Sequence, residues 1–138
     1  FTQSADGLEW TFVLKDGITF QDGAPLTSAD VVFTYKRLLD PATASPAASE
    51  LGMITAEGIT APDARTVVFR TAEPVAQLPL LLATKYALIV RDGSTAESLA
   101  TASNGTGPYV IADFKADAPR TVLAANPTYW QSGKPTAP

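Results

Sequence analysis

The sequence of 138 residues contains no cysteine and no histidine, one methionine, and only 17% charged residues. Without cysteine there is no disulfide, no thiolate metal site and no thiol nucleophile; the compartment stays open, because many exported bacterial proteins also lack cysteine. Without histidine there is no imidazole ligand and no imidazole acid or base, so neither a zinc hydrolase nor a Ser-His-Asp triad can be assembled from these residues. Catalysis would fall to carboxylates, lysines or tyrosines. Ten basic residues against fourteen acidic ones give a net charge of -4, with no basic face to follow a phosphate backbone, which argues against nucleic acid as a partner. Long apolar runs are missing as well. The longest apolar stretch, residues 75–90, is interrupted by Gln77, Pro79 and Lys85 and falls short of the roughly 20 residues that span a bilayer. It reads as a core segment. No basic stretch leading into an apolar one opens the sequence, so a leader peptide would lie upstream of Phe1 or have been removed.

What is present is 46% apolar, enough for one core that hides roughly two-thirds of the surface of the unfolded chain. In residues 8–15, Leu8, Trp10, Phe12 and Leu14 alternate with Glu9, Thr11, Val13 and Lys15, the period of a half-buried strand. The turn dipeptides Asp16-Gly17 and Asp22-Gly23 bracket residues 18–20 as a short edge segment. Thr27 with Asp30 three residues later is a capping-box variant, and Val31, Tyr35, Leu38 and Leu39 fall on one helical face until Asp40-Pro41 ends the helix. Residues 40–50 predict an irregular loop passing into one helical turn. A hairpin is expected from residues 57–61 and 65–71 around Pro62-Asp63-Ala64, and a Leu-rich helix from Leu78 onward. Residues 87–90 add a short strand, residues 92–107 are a polar segment, and a second hairpin turns through Asp117, Ala118 and Pro119. The fold class that follows is α+β: an antiparallel or mixed sheet built from hairpins and covered by two or three helices.

Chemistry is sparse. The carboxylates, among them Asp6, Asp22, Asp63, Asp113 and Asp117, stand mostly in turns where local hydrogen bonds account for them, and no two form an acid and base pair. The run Asn104-Gly105-Thr106-Gly107-Pro108 lacks the spacing of a phosphate loop and precedes a proline, so it reads as a turn entering a strand. Trp10, Phe12, Phe33, Phe69, Phe114, Tyr129 and Trp130 sit in strand or helix patterns and are expected in the core. No metal ligand set and no cofactor motif is found.

Three ordered blocks, residues 8–41, 61–83 and 104–135, resemble one family, the family-5 extracellular solute-binding proteins of bacterial ABC importers. The first carries a W-x-F-x-L pattern, two DG turns and T-x-x-DVV in Trp10, Phe12, Leu14, Asp16, Gly17, Phe20, Asp22, Gly23, Pro25, Thr27, Asp30, Val31 and Val32; the third carries GTGPY, N-P-x-YW and G-x-P. Gln21 departs from the histidine that members frequently place before the second DG. The resemblance implies that residues 1–138 form a single subdomain, the smaller one of the first lobe, in a larger two-lobed protein. It implies capture of an extracellular solute, a dipeptide or oligopeptide before others, and delivery to the membrane permease subunits of an ABC importer. It also implies a monomer that is not an enzyme, periplasmic or held at the cell surface as a lipoprotein. By the same resemblance, residues 42–50 and the segment after the Leu-rich helix approach the ligand cleft, with Thr84, Lys85 and Tyr86 as ligand-binding candidates. A protein-protein interaction domain using its sheet edge, and a carboxylate-based glycosidase domain, are the alternative readings.

Overall fold

The computed structural model describes residues 1–112 and 119–136. The chain divides into two compact units, Phe1–Lys15 with Thr27–Asp92, and Asp16–Leu26 with Gly93–Pro138.

The first unit is a four-stranded antiparallel sheet in the order β1-β2-β4-β3, from β1 (Thr2–Gln3), β2 (Glu9–Val13), β3 (Ile54–Thr60) and β4 (Thr66–Thr71). The alternation read in β2 is realised: Trp10 is buried, Phe12 and Leu14 pack against the core, and Val13 points to solvent at 62% exposure. On β4 the inward positions are Val67, Phe69 and Thr71. Register places Trp10 opposite Phe69 and Ile59 opposite Phe69, and residues directly opposite share a face. One row of large side chains therefore crosses three strands.

Helix α1 (Ser28–Leu39) covers that row with Val31, Tyr35 and Leu38. It starts where the sequence places it: the Asp30 carboxylate accepts the Thr27 N–H at 2.7 Å and the Thr27 hydroxyl at 3.0 Å. Its C-cap, Asp40, is extended with ψ 121°, as the residue before a proline prefers. A 3₁₀ turn (Pro41–Thr43) and the short α2 (Ala47–Glu50) follow, burying Ala47 and Leu51 completely. Helix α3 (Leu78–Leu82) buries Leu78 and Leu82 and leaves Leu80 75% exposed.

The pairing of β3 with β4 slips between Ile54 and Ile59. At Gly58 a Cβ atom would lie 2.7 Å from the Arg70 carbonyl oxygen, closer than the atoms can approach, so the strands must part to admit one. Gly58→Ala is expected to cost about 1–2 kcal/mol, as over-packing does, read as a lower urea midpoint; an unchanged midpoint would show that the slip absorbs a methyl group.

The second unit contains α4 (Ala96–Thr101) and an antiparallel hairpin of β5 (Tyr109–Ile111) and β6 (Leu123–Ala125). Its turn is expected through Asp117 and Ala118, which, with Asp113 and Phe114, lie outside the described residues. Gln21 sits in this unit, its amide donating to the Tyr109 carbonyl at 3.0 Å and its N–H to the Gly105 carbonyl at 3.0 Å. Asn126, 4% exposed, donates from Nδ2 to the Gly107 carbonyl at 2.9 Å.

The α+β class and its hairpins stand, and four local expectations need correction. Residues 18–20 form no strand; an isolated bridge between Thr19 and Pro25 closes the Asp22-Gly23 turn instead, with Gly23 at φ +85° and Asp22 accepting the Ala24 N–H at 2.9 Å. Residues 87–90 are not a strand either. The polar segment 92–107 contains α4, which buries no residue and so lacks an apolar stripe. Of the aromatics expected in the core, Trp130 is 37% exposed, and Phe33 and Tyr129 are half-buried and outside the core cluster.

Candidate functional site

Thr84, Lys85 and Tyr86 follow Ala83, the C-cap of α3. They form a turn closed by the Ala87 N–H donating to the Thr84 carbonyl at 3.0 Å. Ala87 is buried, whereas Lys85 and Tyr86 face solvent, Tyr86 at 41% exposure. The Lys85 ammonium stands 4.9 Å from the centre of the Tyr86 ring, a cation–π contact worth about 0.5–1 kcal/mol at an exposed site. The structure thus brings the three candidates together on one short turn. That turn offers an ammonium for a carboxylate, a phenol that can stack or donate, and the Thr84 hydroxyl. Leu88, 76% exposed, adds an apolar side chain two residues on.

Residues 42–50 offer less. The Ser45 hydroxyl accepts the Ala47 N–H at 3.3 Å and the Ser49 hydroxyl donates to the Pro46 carbonyl at 3.2 Å, so both are engaged in shaping the loop itself. Ala44 takes the left-handed conformation at φ 49°.

Surface hollows among the described residues lie elsewhere. Beside the slipped pairing of β3 and β4 a hollow of about 380 Å³ is lined by Thr55, Glu57, Gly58, Arg70, Thr71 and Ala72, and Arg70 there pairs with Glu9 at 2.9 Å. In the second unit one of about 220 Å³ is lined by residues including Tyr109, Tyr129, Gln131 and Lys134. Neither includes Thr84, Lys85 or Tyr86.

The carboxylates behave as turn residues. The Arg65 N–H, donating at 2.8 Å, holds the Asp63 carboxyl below its ordinary range, and the Ser4 hydroxyl does the same for Asp6. A carboxylate held ionised is a poor proton donor. Among the described residues no group of three or more carboxylates, imidazoles or thiols is placed to hold a metal ion, and no helix is long and apolar enough to cross a membrane.

The family model for bacterial extracellular solute-binding proteins, family 5 middle, matches residues 1–137. The chain is 35% identical over 129 residues to Protein XP55 of Streptomyces lividans, covering 91% of this chain and 23% of that one. It is 33% identical over 138 residues to the probable D,D-dipeptide-binding periplasmic protein DdpA of Escherichia coli, with 91% and 25% covered. In the solved structure of the binding protein AgaA from A. tumefaciens in complex with agropinic acid, a region superposes with a TM-score of 0.86 at 30% identity, covering 98% of this chain and 27% of that one. For Haemophilus influenzae OppA in complex with the peptide RPPGFSPFR the TM-score is 0.79 at 27% identity, with 94% and 29% covered. The chain spans about a quarter of the length of these relatives.

Proposed function

We propose, from the premise that this chain belongs to the family-5 bacterial extracellular solute-binding proteins, that it is one subdomain of a larger two-lobed protein that captures a solute and hands it to the permease of an ABC importer. The observation that carries the reading is the family match over residues 1–137 in a chain about a quarter as long as its relatives. The solute is a dipeptide or oligopeptide, a class supported by the relatives named for D,D-dipeptide and oligopeptide binding. Thr84, Lys85 and Tyr86 are this subdomain's ligand contacts, with Lys85 meeting a carboxylate and Tyr86 stacking or donating. The protein does no chemistry on what it carries. It works as a monomer outside the cytoplasmic membrane, free in a periplasm, as the names of relatives suggest, or tethered by a lipid.

The physics of closure sets the test. Two lobes hold a ligand because each supplies contacts only when both surround it, while the loss of translational freedom is met once. A micromolar complex is worth about -8 kcal/mol; halving its contacts leaves about -4 kcal/mol at best, a millimolar complex. Native mass spectrometry of this chain and of the complete parent protein, each challenged with a mixed peptide pool, is expected to show peptide retained by the parent alone. Equal retention by the 138-residue chain would place a self-sufficient site within it and sink the division of labour.

A further inference from the structure

Residues 83–89 form a loop whose two ends are held by one face of α1. At its start, the Tyr35 hydroxyl donates to the Leu82 carbonyl at 2.6 Å. At its end, the Thr34 hydroxyl accepts the Val90 N–H at 3.0 Å and donates to the Asp30 carbonyl at 2.7 Å, with the Val90 carbonyl at 3.2 Å. Two residues later the Asp92 N–H donates to the Asp30 carboxylate at 2.8 Å. All three side chains are buried, with Asp30 and Tyr35 5% exposed and Thr34 2%.

The helix uses one of these groups, the Asp30 carboxylate oxygen that caps Thr27; it has no need of the other Asp30 oxygen, of Thr34 or of the Tyr35 hydroxyl. Threonine inside a helix is at best neutral, and its hydroxyl bonded to the carbonyl four residues back adds nothing to helix stability. Asp30 and Thr34 flank Val31, Tyr35 and Leu38 on the stripe that covers the sheet, positions where aliphatic side chains would pack. Burying a hydroxyl and a carboxylate there is unfavourable unless their hydrogen bonds are made, and apart from the cap on Thr27 the bonds they make outside the helix go to the backbone of residues 90–92. The loop has no strand partner: among the described residues, 83–89 take part in no sheet. Tied to α1 at both ends, the loop buries Ala87 at its middle and turns Lys85, Tyr86 and Leu88 outward.

We infer that Asp30, Thr34 and Tyr35 are positioning residues that hold the 83–89 loop in one conformation so that Lys85 and Tyr86 meet the ligand already oriented. A side chain on a fixed backbone loses less entropy on binding than one on a mobile loop. The inference rests on the ligand-capture reading for its purpose, but the clamp itself is measurable without a ligand.

The test uses the complete parent protein carrying Thr34→Val, Thr34→Ser or Tyr35→Phe. Valine keeps the shape of threonine and removes the hydroxyl; serine restores it; phenylalanine removes only the bond to Leu82. Hydrogen exchange followed by mass spectrometry is expected to show about tenfold faster exchange in the segment 83–92 for Thr34→Val, the change that follows when a buried amide loses its acceptor. β2 and β4 should change less than about twofold, and serine should return the segment to the parent rate. Tyr35→Phe should loosen the same segment from its other end. Uniform acceleration over the sheet, or no change in residues 83–92, overturns the clamp. Peptide-pool retention is then compared at equal protein concentration: a retained fraction that falls about fivefold with valine and recovers with serine supports orientation of the contacts. Local loosening with unchanged retention overturns the role in binding. A parent protein that retains no peptide before substitution defeats the capture reading, while exchange still decides the clamp.

Discussion

Replacing Phe69 with alanine is expected to remove about 3–5 kcal/mol of stability, as for other large-to-small changes at buried aromatics. The size follows from where β4 places it. Phe69 is 2% exposed and lies between Trp10 on β2 and Ile59 on β3 in the row that crosses the sheet. Its ring meets Tyr35 of α1 nearly edge-on at 5.0 Å and Phe12 at 5.7 Å, with interplanar angles of 85° and 86°. Pairs of that geometry contribute about 0.5–1.5 kcal/mol each beyond their buried area. Alanine would lose the burial and both ring contacts and leave a void bounded by helix and sheet. Domains of this size are stable by about 5–15 kcal/mol in total, so the variant would stand near the limit of folding. Urea unfolding followed by tryptophan fluorescence is expected to show a midpoint lower by roughly 2 M, for a slope of about 1.5–2 kcal/mol per molar. Val13→Ala, on the outer face of β2, is the control and should shift it little. A Phe69→Ala loss below about 1 kcal/mol would mean that the row does not hold α1 to the sheet.

Sequence pattern reaches those elements that bury one face. The alternation of Trp10 and Phe12, the β-branched run through Val67 and Phe69, and the helical spacing of Val31, Tyr35 and Leu38 all encode a side that must leave water, and those residues are core. Elements without a buried face escape it. β1 is two exposed polar residues paired with Thr11 and Trp10, and α4 buries none of its residues. The signal for α4 is local: Thr95 accepts the Ser98 N–H at 3.1 Å while the Ser98 hydroxyl accepts the Thr95 N–H at 3.0 Å. Serine there performs the part that glutamate or glutamine takes in the usual capping box.

Residues 87–90 show the opposite failure. Leu88, Ile89 and Val90 carry the composition of a strand, but strand preference depends on an available neighbouring strand. Here the Val90 backbone bonds to the Thr34 side chain instead. The candidate contacts Thr84, Lys85 and Tyr86 come from family resemblance and carry no pattern of their own. The residues that hold their loop do carry one, because Asp30 and Thr34 are two polar side chains four apart on an otherwise apolar stripe. The capping box accounts for Asp30 alone. Thr34 has no helix-forming reason to be there, and an unexplained buried polar group is where sequence reasoning should look for a tertiary bond.

Tyr35 should make stability fall at high pH in a way that Tyr35→Phe does not. Burial pushes its phenol from the ordinary 10 up to about 12, because the anion would be stranded in the core while the neutral group donates to the Leu82 carbonyl at 2.6 Å. The folded value lies above the unfolded one, so the contribution is complete below pH 10 and is lost as pH rises through 10 towards 12. Two units at 1.36 kcal/mol each put the loss at about 3 kcal/mol once both states are ionised. Phenylalanine has no such step, but at neutral pH it leaves the Leu82 carbonyl without this donor, a cost of about 1–2 kcal/mol. The two proteins should therefore exchange order, with the parent more stable at pH 8 and the variant more stable near pH 12, crossing at about pH 11. Urea midpoints of both across that range measure the difference directly, and titration of the lysines and exposed tyrosines common to both cancels. A gap that stays constant from pH 8 to 12 would mean that Tyr35 ionises as freely in the folded chain as in the unfolded one. In that event the hydroxyl would be reached by water, and the start of the 83–89 loop would not be held from the core.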